Sequence, residues 1–123
     1  MPTSTSMPST VRRSTAKARR TWTKTYESAL EQYGEADRAR RVAFASLERN
    51  FEKVGDRWVQ RPPSRQGAAR TTGGVDENAP RRHLYELARR LGIRGRSRMS
   101  KAELADAIRR ANERKTEAAR RKD

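Results

Sequence analysis

The residues best suited to chemistry in this chain are basic side chains grouped towards its C-terminal end. We single out as candidate nucleic-acid-binding residues Arg81, Arg82, Arg94, Arg96, Arg98, Ser100, Lys101 and Arg109. The planar guanidinium group of arginine matches the oxygens of phosphate, and the backbone N–H groups of a helix starting at Ser100 would attract the same anion. Three of the arginines alternate along a connector that we expect to be extended, so they would project to one side. The pattern predicts binding to a phosphate backbone, with a merely solvated basic surface as the alternative.

Little in the sequence favours catalysis. His83 is the single histidine and has no carboxylate or hydroxyl partner placed as in a catalytic triad, so we interpret it as a surface or helix-capping residue. The chain has no cysteine, which excludes disulfides and thiolate metal ligands. Neither a glycine-rich phosphate loop nor a cluster with metal-ligand spacing is recognisable. We therefore predict a protein without enzymatic activity, metal or cofactor.

Two amphipathic helices would position the basic residues. In the first, leucines recur at helical spacing until Gly92, a residue that favours a left-handed helix stop. Ser100 with Glu103 three residues later forms a capping box, which predicts the start of the second helix. The basic connector lies between them. The expected core of this helix-extended-helix unit consists of Leu84, Leu87, Leu91, Ile93, Leu104 and Ile108.

The stretch LYELARRLGIRGRSRMSKAELADAI, which begins at Leu84, resembles the helical N-terminal domain of the Rho transcription termination factor. It also has the general layout of SAP-type DNA-binding modules. The resemblance implies a module over residues 80–112 with affinity for nucleic acid. In Rho the strongest RNA-reading surface belongs to an adjacent barrel domain, to which no part of this sequence corresponds. The resemblance therefore implies neither a sequence preference nor a choice between DNA and RNA.

A separate helical region precedes this module. Apolar residues at three- and four-residue intervals predict one helix from about Ser14 to Tyr33 and, after Gly34, a second from Ala36 to Lys53. Gly55-Asp56 is a turn signal, and residues 57–60 would form a short strand or an extended arm. The expected core consists of Trp22, Tyr26, Tyr33, Phe44, Leu47, Phe51 and Trp58. Helical spacing favours a core for these aromatic side chains over a surface on which bases stack.

Residues 7–61 resemble the ChaB family, small bacterial proteins named as cation-transport regulators. The matching features are Pro8, an aromatic helix leading into ALEQYG, then RARRVAFASLERNFEK and a closing GDRW. The turn between the two helices is shorter here than in typical members. The resemblance implies a compact, mainly helical fold with a little β structure, and it brings no catalytic residue with it.

Positive charge is concentrated at the two ends of the chain. The net charge is +15, with a sequence pI of about 11.5. Residues 1–20 carry five basic and no acidic side chains, residues 80–123 carry fifteen and six, and residues 21–61 carry eight and seven. Such a charge predicts a polyanionic partner: DNA, RNA or an anionic membrane surface. No apolar run reaches the roughly 20 residues of a membrane span, and no secretory signal is recognisable.

Further segments complete the predicted organisation. Residues 1–14, rich in Ser, Thr and Pro, should be a disordered basic arm before a domain over 15–61. Residues 62–79 are predicted to be a flexible linker, with Asn78 capping the next helix. Residues 113–123 should extend the last helix as a fraying basic tail. The predicted fold class is thus mainly α, with a short β element in the first domain.

Together these observations predict a small cytoplasmic protein, with the nucleoid as a candidate location, that binds DNA or RNA. Its basic C-terminal unit would make salt-sensitive contacts to phosphates, and its ChaB-like domain would dock on a protein partner. The alternative function is a protein-interaction regulator of a cation transporter, with the basic unit as an anchor to nucleic acid or anionic lipid. A basic adaptor for a transcription complex is a third interpretation. The oligomeric state is left open.

Overall fold

A computed structural model describes residues 7–122, and their fold is mainly helical with one short sheet, as the sequence predicts. The described part of the chain forms helices α1 (Ser9–Arg12), α2 (Ala16–Tyr33), α3 (Ala36–Asn50), α4 (Arg81–Arg90) and α5 (Lys101–Lys122), and strands β1 (Phe51–Val54) and β2 (Arg57–Gln60). Single 3-10 turns lie at Pro63–Arg65 and Arg96–Arg98. None of these helices has the length and apolar character that crossing a membrane requires.

The N-terminal segment needs a correction. Residues 1–6 of the predicted disordered arm lie outside the described residues, but the rest of it is ordered and buries Val11 completely in α1. The Ser14 hydroxyl donates a hydrogen bond to the Thr10 carbonyl and accepts one from the Trp58 backbone N–H, both at 2.7 Å. The arm is ordered because these contacts attach it to β2, which a composition-based prediction does not register.

Local signals determine both ends of α2. The Thr15 hydroxyl accepts a hydrogen bond from a backbone N–H of the first turn at 3.3 Å, which makes it the N-cap. At the other end Gly34 adopts a left-handed conformation with φ of 71°, so the predicted helix stop is confirmed. The helix begins at Ala16, slightly later than the predicted start at Ser14.

The helix predicted to reach Lys53 ends at Asn50 instead. Residues 51–54 pair with residues 57–60 in an antiparallel hairpin around Gly55, which has a φ of 70°. Periodicity alone suggested helix here, because a short buried strand presents apolar residues that are compatible with either structure. The hairpin prevails since it turns the chain back across α2 and α3 and closes the core that two helices leave open.

The aromatic core of the first half of the chain, residues 7–61, lies between α2, α3 and the hairpin. Trp22 is fully buried and stacks on Tyr26 with the ring centroids 4.8 Å apart, while Phe44 meets Trp22 edge-on at 6.2 Å. Leu47, Phe51 and Trp58 are also buried. Tyr33 was predicted to join this core and does not: it is 37% exposed in the last turn of α2, with the Arg38 guanidinium 3.9 Å from its ring centroid.

The predicted flexibility of residues 62–79 also needs correction, because this segment packs against the first half. The Asp76 carboxylate accepts hydrogen bonds from Arg61 at 2.6 Å and Arg65 at 2.7 Å. The Arg61 side chain is fully buried and donates further bonds to backbone carbonyls, including that of Arg49 at 3.1 Å. These contacts hold a loop-like sequence in one arrangement.

Helices α4 and α5 form the second half of the chain, residues 80–122, and pack against each other through their leucine-rich faces. Leu84, Leu104 and Ile108 are fully buried, Leu87 is 3% exposed, and Leu91 and Ile93 are partly buried against them. Gly92 has a φ of 71° and the Ile93 N–H donates to the Ala88 carbonyl at 3.0 Å, so the predicted helix stop is confirmed.

Asn78 does not cap α4 as predicted. Its backbone N–H donates to the Asp76 carboxylate at 3.1 Å, and the helix begins after Pro80 without a side-chain cap. The Pro80 carbonyl accepts the hydrogen bonds that open the first turn. Asn78 is thus held through its backbone by Asp76, and the helix starts only after Pro80.

The second half is docked on the hairpin of the first through α5. Asn112 is 1% exposed; its Oδ1 accepts from the Gly55 N–H at 2.6 Å and its Nδ2 donates to the Lys53 carbonyl at 2.9 Å. One turn later the Thr116 hydroxyl donates to the Gly55 carbonyl at 3.2 Å. These bonds satisfy backbone groups of the tight turn. The last helix extends to Lys122 as predicted, but its first tail residues pack on the hairpin where fraying was expected; residue 123 lies outside the described part.

Candidate nucleic-acid interface

Four of the eight predicted binding residues present free cations. Arg82, Arg94, Arg98 and Lys101 are exposed, and within residues 7–122 none of them forms an ion pair. We call these four residues the basic edge. By contrast, the neighbouring Arg89 is paired with Glu86 and is not part of it.

The connector between α4 and α5 is not extended as predicted, because it contains a 3-10 turn. Arg96 folds back: its Nη1 donates to the Ile93 carbonyl at 3.0 Å and its guanidinium lies 5.5 Å from the Tyr85 ring centroid. Arg81 also serves the connector, donating to the Met99 carbonyl at 2.8 Å. Both side chains therefore restrain the loop that carries Arg94 and Arg98.

Ser100 opens α5 in the predicted capping box, which uses two of the backbone N–H groups at the helix start. Its N–H donates to the Glu103 carboxylate at 2.8 Å, and the Glu103 N–H donates to its hydroxyl at 3.2 Å. The hydrogen bond from the Ser100 N–H lowers the pKa of Glu103, which favours the ionised carboxylate. The Glu103 carboxylate therefore competes with a phosphate for the Ser100 N–H, while the next two backbone N–H groups of the helix donate to no such partner within the described residues and stay available to an anion.

Arg109 forms ion pairs within the protein and is not part of the basic edge. It pairs with Glu77 at 3.2 Å, which ties α5 to the segment preceding α4, and lies 3.9 Å from Asp106. Arg110 pairs with the same Asp106 at 2.9 Å. These partners reduce the charge that Arg109 can offer to a ligand.

Two grooves lie along α5, and Arg94 of the basic edge lines the smaller of them. A cleft of about 280 Å3 is lined by apolar residues that include Leu91 and Ile93 and by the side chains of Arg94, Arg110 and Arg114. A larger groove of about 630 Å3 lies between Lys53 on β1 and Arg114, Arg120 and Arg121 on α5. Arg114 lines both grooves, so positively charged side chains continue from the basic edge along the helix. Lys53 was not among the predicted binding residues because it belongs to the nearly neutral part of the chain.

His83 was interpreted as a surface or capping residue, and the structure gives it a carboxylate partner instead. Its Nε2 lies 2.9 Å from Oε2 of Glu52, which is 3% exposed on β1. The hydrogen bond with Glu52 raises the pKa of His83, with Asp76 adding to the effect and Arg61 opposing it. The pair joins α4 to the first half of the chain. Residues 7–122 contain no group of three side chains placed to bind a metal.

We expect stability to fall as the pH rises through the native pKa of His83. Because that pKa is raised, the contribution of the His83–Glu52 pair is complete below about 6.5, the ordinary value, and is lost above the native value. Urea unfolding at several pH values between about 5.5 and 8.5 measures the effect. The His83→Gln variant should give a flatter profile over this range. Parallel profiles for the wild type and the variant would refute the expectation.

Comparison with known families accounts for both halves of the chain. Residues 7–61 match the family model ChaB, and residues 78–117 match the model of the Rho termination factor, N-terminal domain. The two predicted resemblances and their order are thereby confirmed. The Rho match continues past the predicted end at residue 112 into the part of α5 that docks on the hairpin. No curated protein and no solved structure matches the chain.

Proposed function

We propose that this protein is a non-enzymatic nucleic-acid-binding protein that contacts the phosphate backbone through the basic edge. The observation that carries the proposal is that Arg82, Arg94, Arg98 and Lys101 remain exposed and free of ion pairs within the described residues, although acidic side chains pair with other arginines of the same module. A cation without an ion-pair partner can neutralise a phosphate, which releases condensed counterions, without first giving up a carboxylate of the protein. The match to the Rho N-terminal domain supports nucleic acid as the class of polyanion.

Hydrogen bonds restrain the connector between α4 and α5, and this restraint favours binding. Arg81 and Arg96 donate to backbone carbonyls of the loop, and so restrain it before any ligand arrives. A restrained loop loses less conformational entropy on binding, which favours affinity. Contacts to phosphate position a nucleic acid without reading its sequence, so we expect binding to tolerate sequence changes and to depend steeply on salt.

Replacing Arg82, Arg94 and Arg98 together with glutamine should weaken binding at least tenfold at about 100 mM salt. The slope of log affinity against log salt should become shallower by about 3, since each lost phosphate contact removes nearly one unit. Fluorescence anisotropy with a labelled duplex of about 20 base pairs measures both quantities.

A matched control removes the same charge elsewhere. Lys17, Arg20 and Lys24 are exposed on α2 and free of ion pairs in the part of the chain that the structure describes. Their triple glutamine variant should retain most of the affinity. Equal losses of affinity in the two triple variants would show that binding depends only on net charge. Unchanged affinity in the Arg82, Arg94 and Arg98 triple variant would remove the basic edge from the proposal.

The second candidate function, regulation of a cation transporter through a protein partner, is supported by the ChaB match. An exposed apolar patch on residues 7–61 would favour such a partner. Leu30 and Tyr33 provide the candidate, since each is 37% exposed at the end of α2, although Arg38 covers one face of Tyr33. Two partly exposed side chains make a smaller patch than those that mark protein interfaces. We therefore rank this function second.

A further inference from the structure

A groove lies at the junction of the two halves, and each half contributes positively charged residues to it; we call it the junction groove. Its volume is about 630 Å3; β1 contributes Lys53, and α5 contributes Arg114, Arg120 and Arg121. Lys53 lies within the ChaB match, whereas Arg120 and Arg121 lie beyond the Rho match, which ends at residue 117. Neither matched region contains this groove, which exists only where the two are docked.

Lys53 is held in place by its backbone at the meeting point of three segments. Its N–H donates to the Gly74 carbonyl at 2.8 Å, and its carbonyl accepts from Asn112 Nδ2 at 2.9 Å. Gly74 has a φ of 86°, and a Cβ there would lie 2.5 Å from the Lys53 Cβ, so only glycine permits this approach. The junction therefore fixes a half-buried lysine at the edge of the groove.

The charge of Lys53 is poorly compensated in the unliganded protein. No carboxylate in the described part of the chain lies within ion-pair distance of its ammonium group. Burial lowers the pKa of Lys53, and Arg120 and Arg13 lower it further, against the opposing influence of Glu113 and Asp56. A half-buried ammonium group beside other cations is unfavourable. A bound anion would relieve this repulsion.

The arginines of the groove are available to such an anion. Arg120 and Arg121 lie 3.4 and 3.9 Å from the same carboxylate, that of Glu117, so two cations share one negative charge and one positive charge is left for a ligand. Arg114 forms no ion pair within residues 7–122. Glu113 and Glu117 both line the groove but are outnumbered by its cations, so its net charge is positive.

Positive charge is continuous from the basic edge to this groove. Arg94, which belongs to the edge, lines the smaller cleft together with Arg110 and Arg114. Arg110, Arg114 and Arg121 are four and seven residues apart on α5, so they share one face of the helix. The distance along the helix from Arg110 to Arg121 is about 17 Å. A nucleic-acid backbone of that length carries several phosphates.

We propose that the junction groove is a second contact site for the phosphate backbone of the nucleic acid that binds at the basic edge, with Lys53, Arg114 and Arg121 as its ligands. This inference rests on the proposed function and adds a site to it. The backbone passes from Arg94 along α5 and reaches the ChaB-like half at Lys53. That half therefore contacts the nucleic acid directly, and docking of the two halves completes the binding surface.

The test is a salt titration of duplex DNA binding by the full-length protein and its variants. Lys53→Met and Arg121→Gln should each weaken binding about threefold and make the salt slope shallower by about 1. Glu117→Gln should tighten binding about twofold, because it removes a competing carboxylate from the groove. Arg41→Gln, which removes an exposed cation of α3, is the matched control and should leave affinity unchanged.

The outcomes separate this inference from the proposed function. The Arg121 side chain is 79% exposed, so its replacement leaves the fold intact even if Lys53→Met perturbs β1. Arg121→Gln could bind with the affinity and salt slope of the wild type while the basic-edge triple variant still loses binding. That result would overturn the junction groove as a contact site and leave the proposed function standing. A loss of equal size in Arg41→Gln would also overturn the groove as a site. Failure of the wild type to bind DNA or RNA would remove both proposals.

Discussion

Replacing Asp76 with asparagine should lower the free energy of unfolding by about 3–5 kcal/mol, the range found when one partner of a buried ion pair is removed. The Arg61 side chain is fully buried and would lose its only carboxylate partner in the described structure. Burial alone would raise the pKa of Asp76, but hydrogen bonds from Arg65 and Arg61 outweigh it and lower the pKa to about 2. The carboxylate is thus ionised at neutral pH, and urea unfolding near pH 7 measures its contribution.

A surface ion pair provides the control for this variant. Asp37 pairs with Arg40 at 3.3 Å, and its side chain is 85% exposed. Asp37→Asn makes the same chemical change and should alter stability by less than about 0.5 kcal/mol, since solvent screens exposed pairs. If Asp76→Asn were equally mild, residues 62–79 would be the flexible linker that their composition suggests.

Trp22→Ala should cost about 3–5 kcal/mol, as expected for an aromatic side chain removed from a packed core. Trp22 is fully buried and stacks on Tyr26. We further expect both halves to unfold in one transition, because the Asp76 network, Asn112 and the His83–Glu52 pair connect them. Trp58 fluorescence reports on the first half, whereas far-UV circular dichroism reports on all helices, so the two unfolding curves should coincide.

A helical signal that persists after the Trp58 transition would contradict this coupling and would mean that the C-terminal half folds alone. Tyr33→Ala is the appropriate control. Tyr33 is an aromatic residue of the same helix that is 37% exposed, so its removal should cost less than about 1 kcal/mol.

The features that could be predicted from sequence are those determined within a few residues. The glycine stops at Gly34 and Gly92 and the capping box at Ser100 are such features, and all three are present. They could be predicted because the required conformation or hydrogen bond involves only the adjacent turn. The helical spacing of the large apolar residues likewise placed most of them in the interior.

Contacts between distant residues could not be predicted in this way. Arg61 and Asp76 are 15 residues apart, His83 and Glu52 are 31 apart, and Asn112 and Gly55 are 57 apart. No local pattern identifies these partners, since each depends on how the elements pack. For this reason the sequence suggested two loosely connected modules where the structure shows a docked pair.

The same distinction applies to the candidate binding site. The sequence shows which residues are basic, but not which of them the protein uses for its own hydrogen bonds. Arg81 and Arg96 brace the connector and Arg109 pairs with Glu77, whereas their equally basic neighbours remain free. Lys53 was not predicted because its relation to Arg121 exists only after docking.

Binding to the phosphate backbone is tested most directly by a salt titration of the full-length protein with duplex DNA, and with single-stranded DNA and RNA of equal length in parallel. If about four to six phosphates are neutralised, log affinity for the duplex should fall linearly with log salt at a slope of about −4 to −5. The ligand that binds most tightly then identifies the class of nucleic acid. Absence of binding to all three near about 150 mM salt would contradict the proposed function and favour a protein partner for the ChaB-like half.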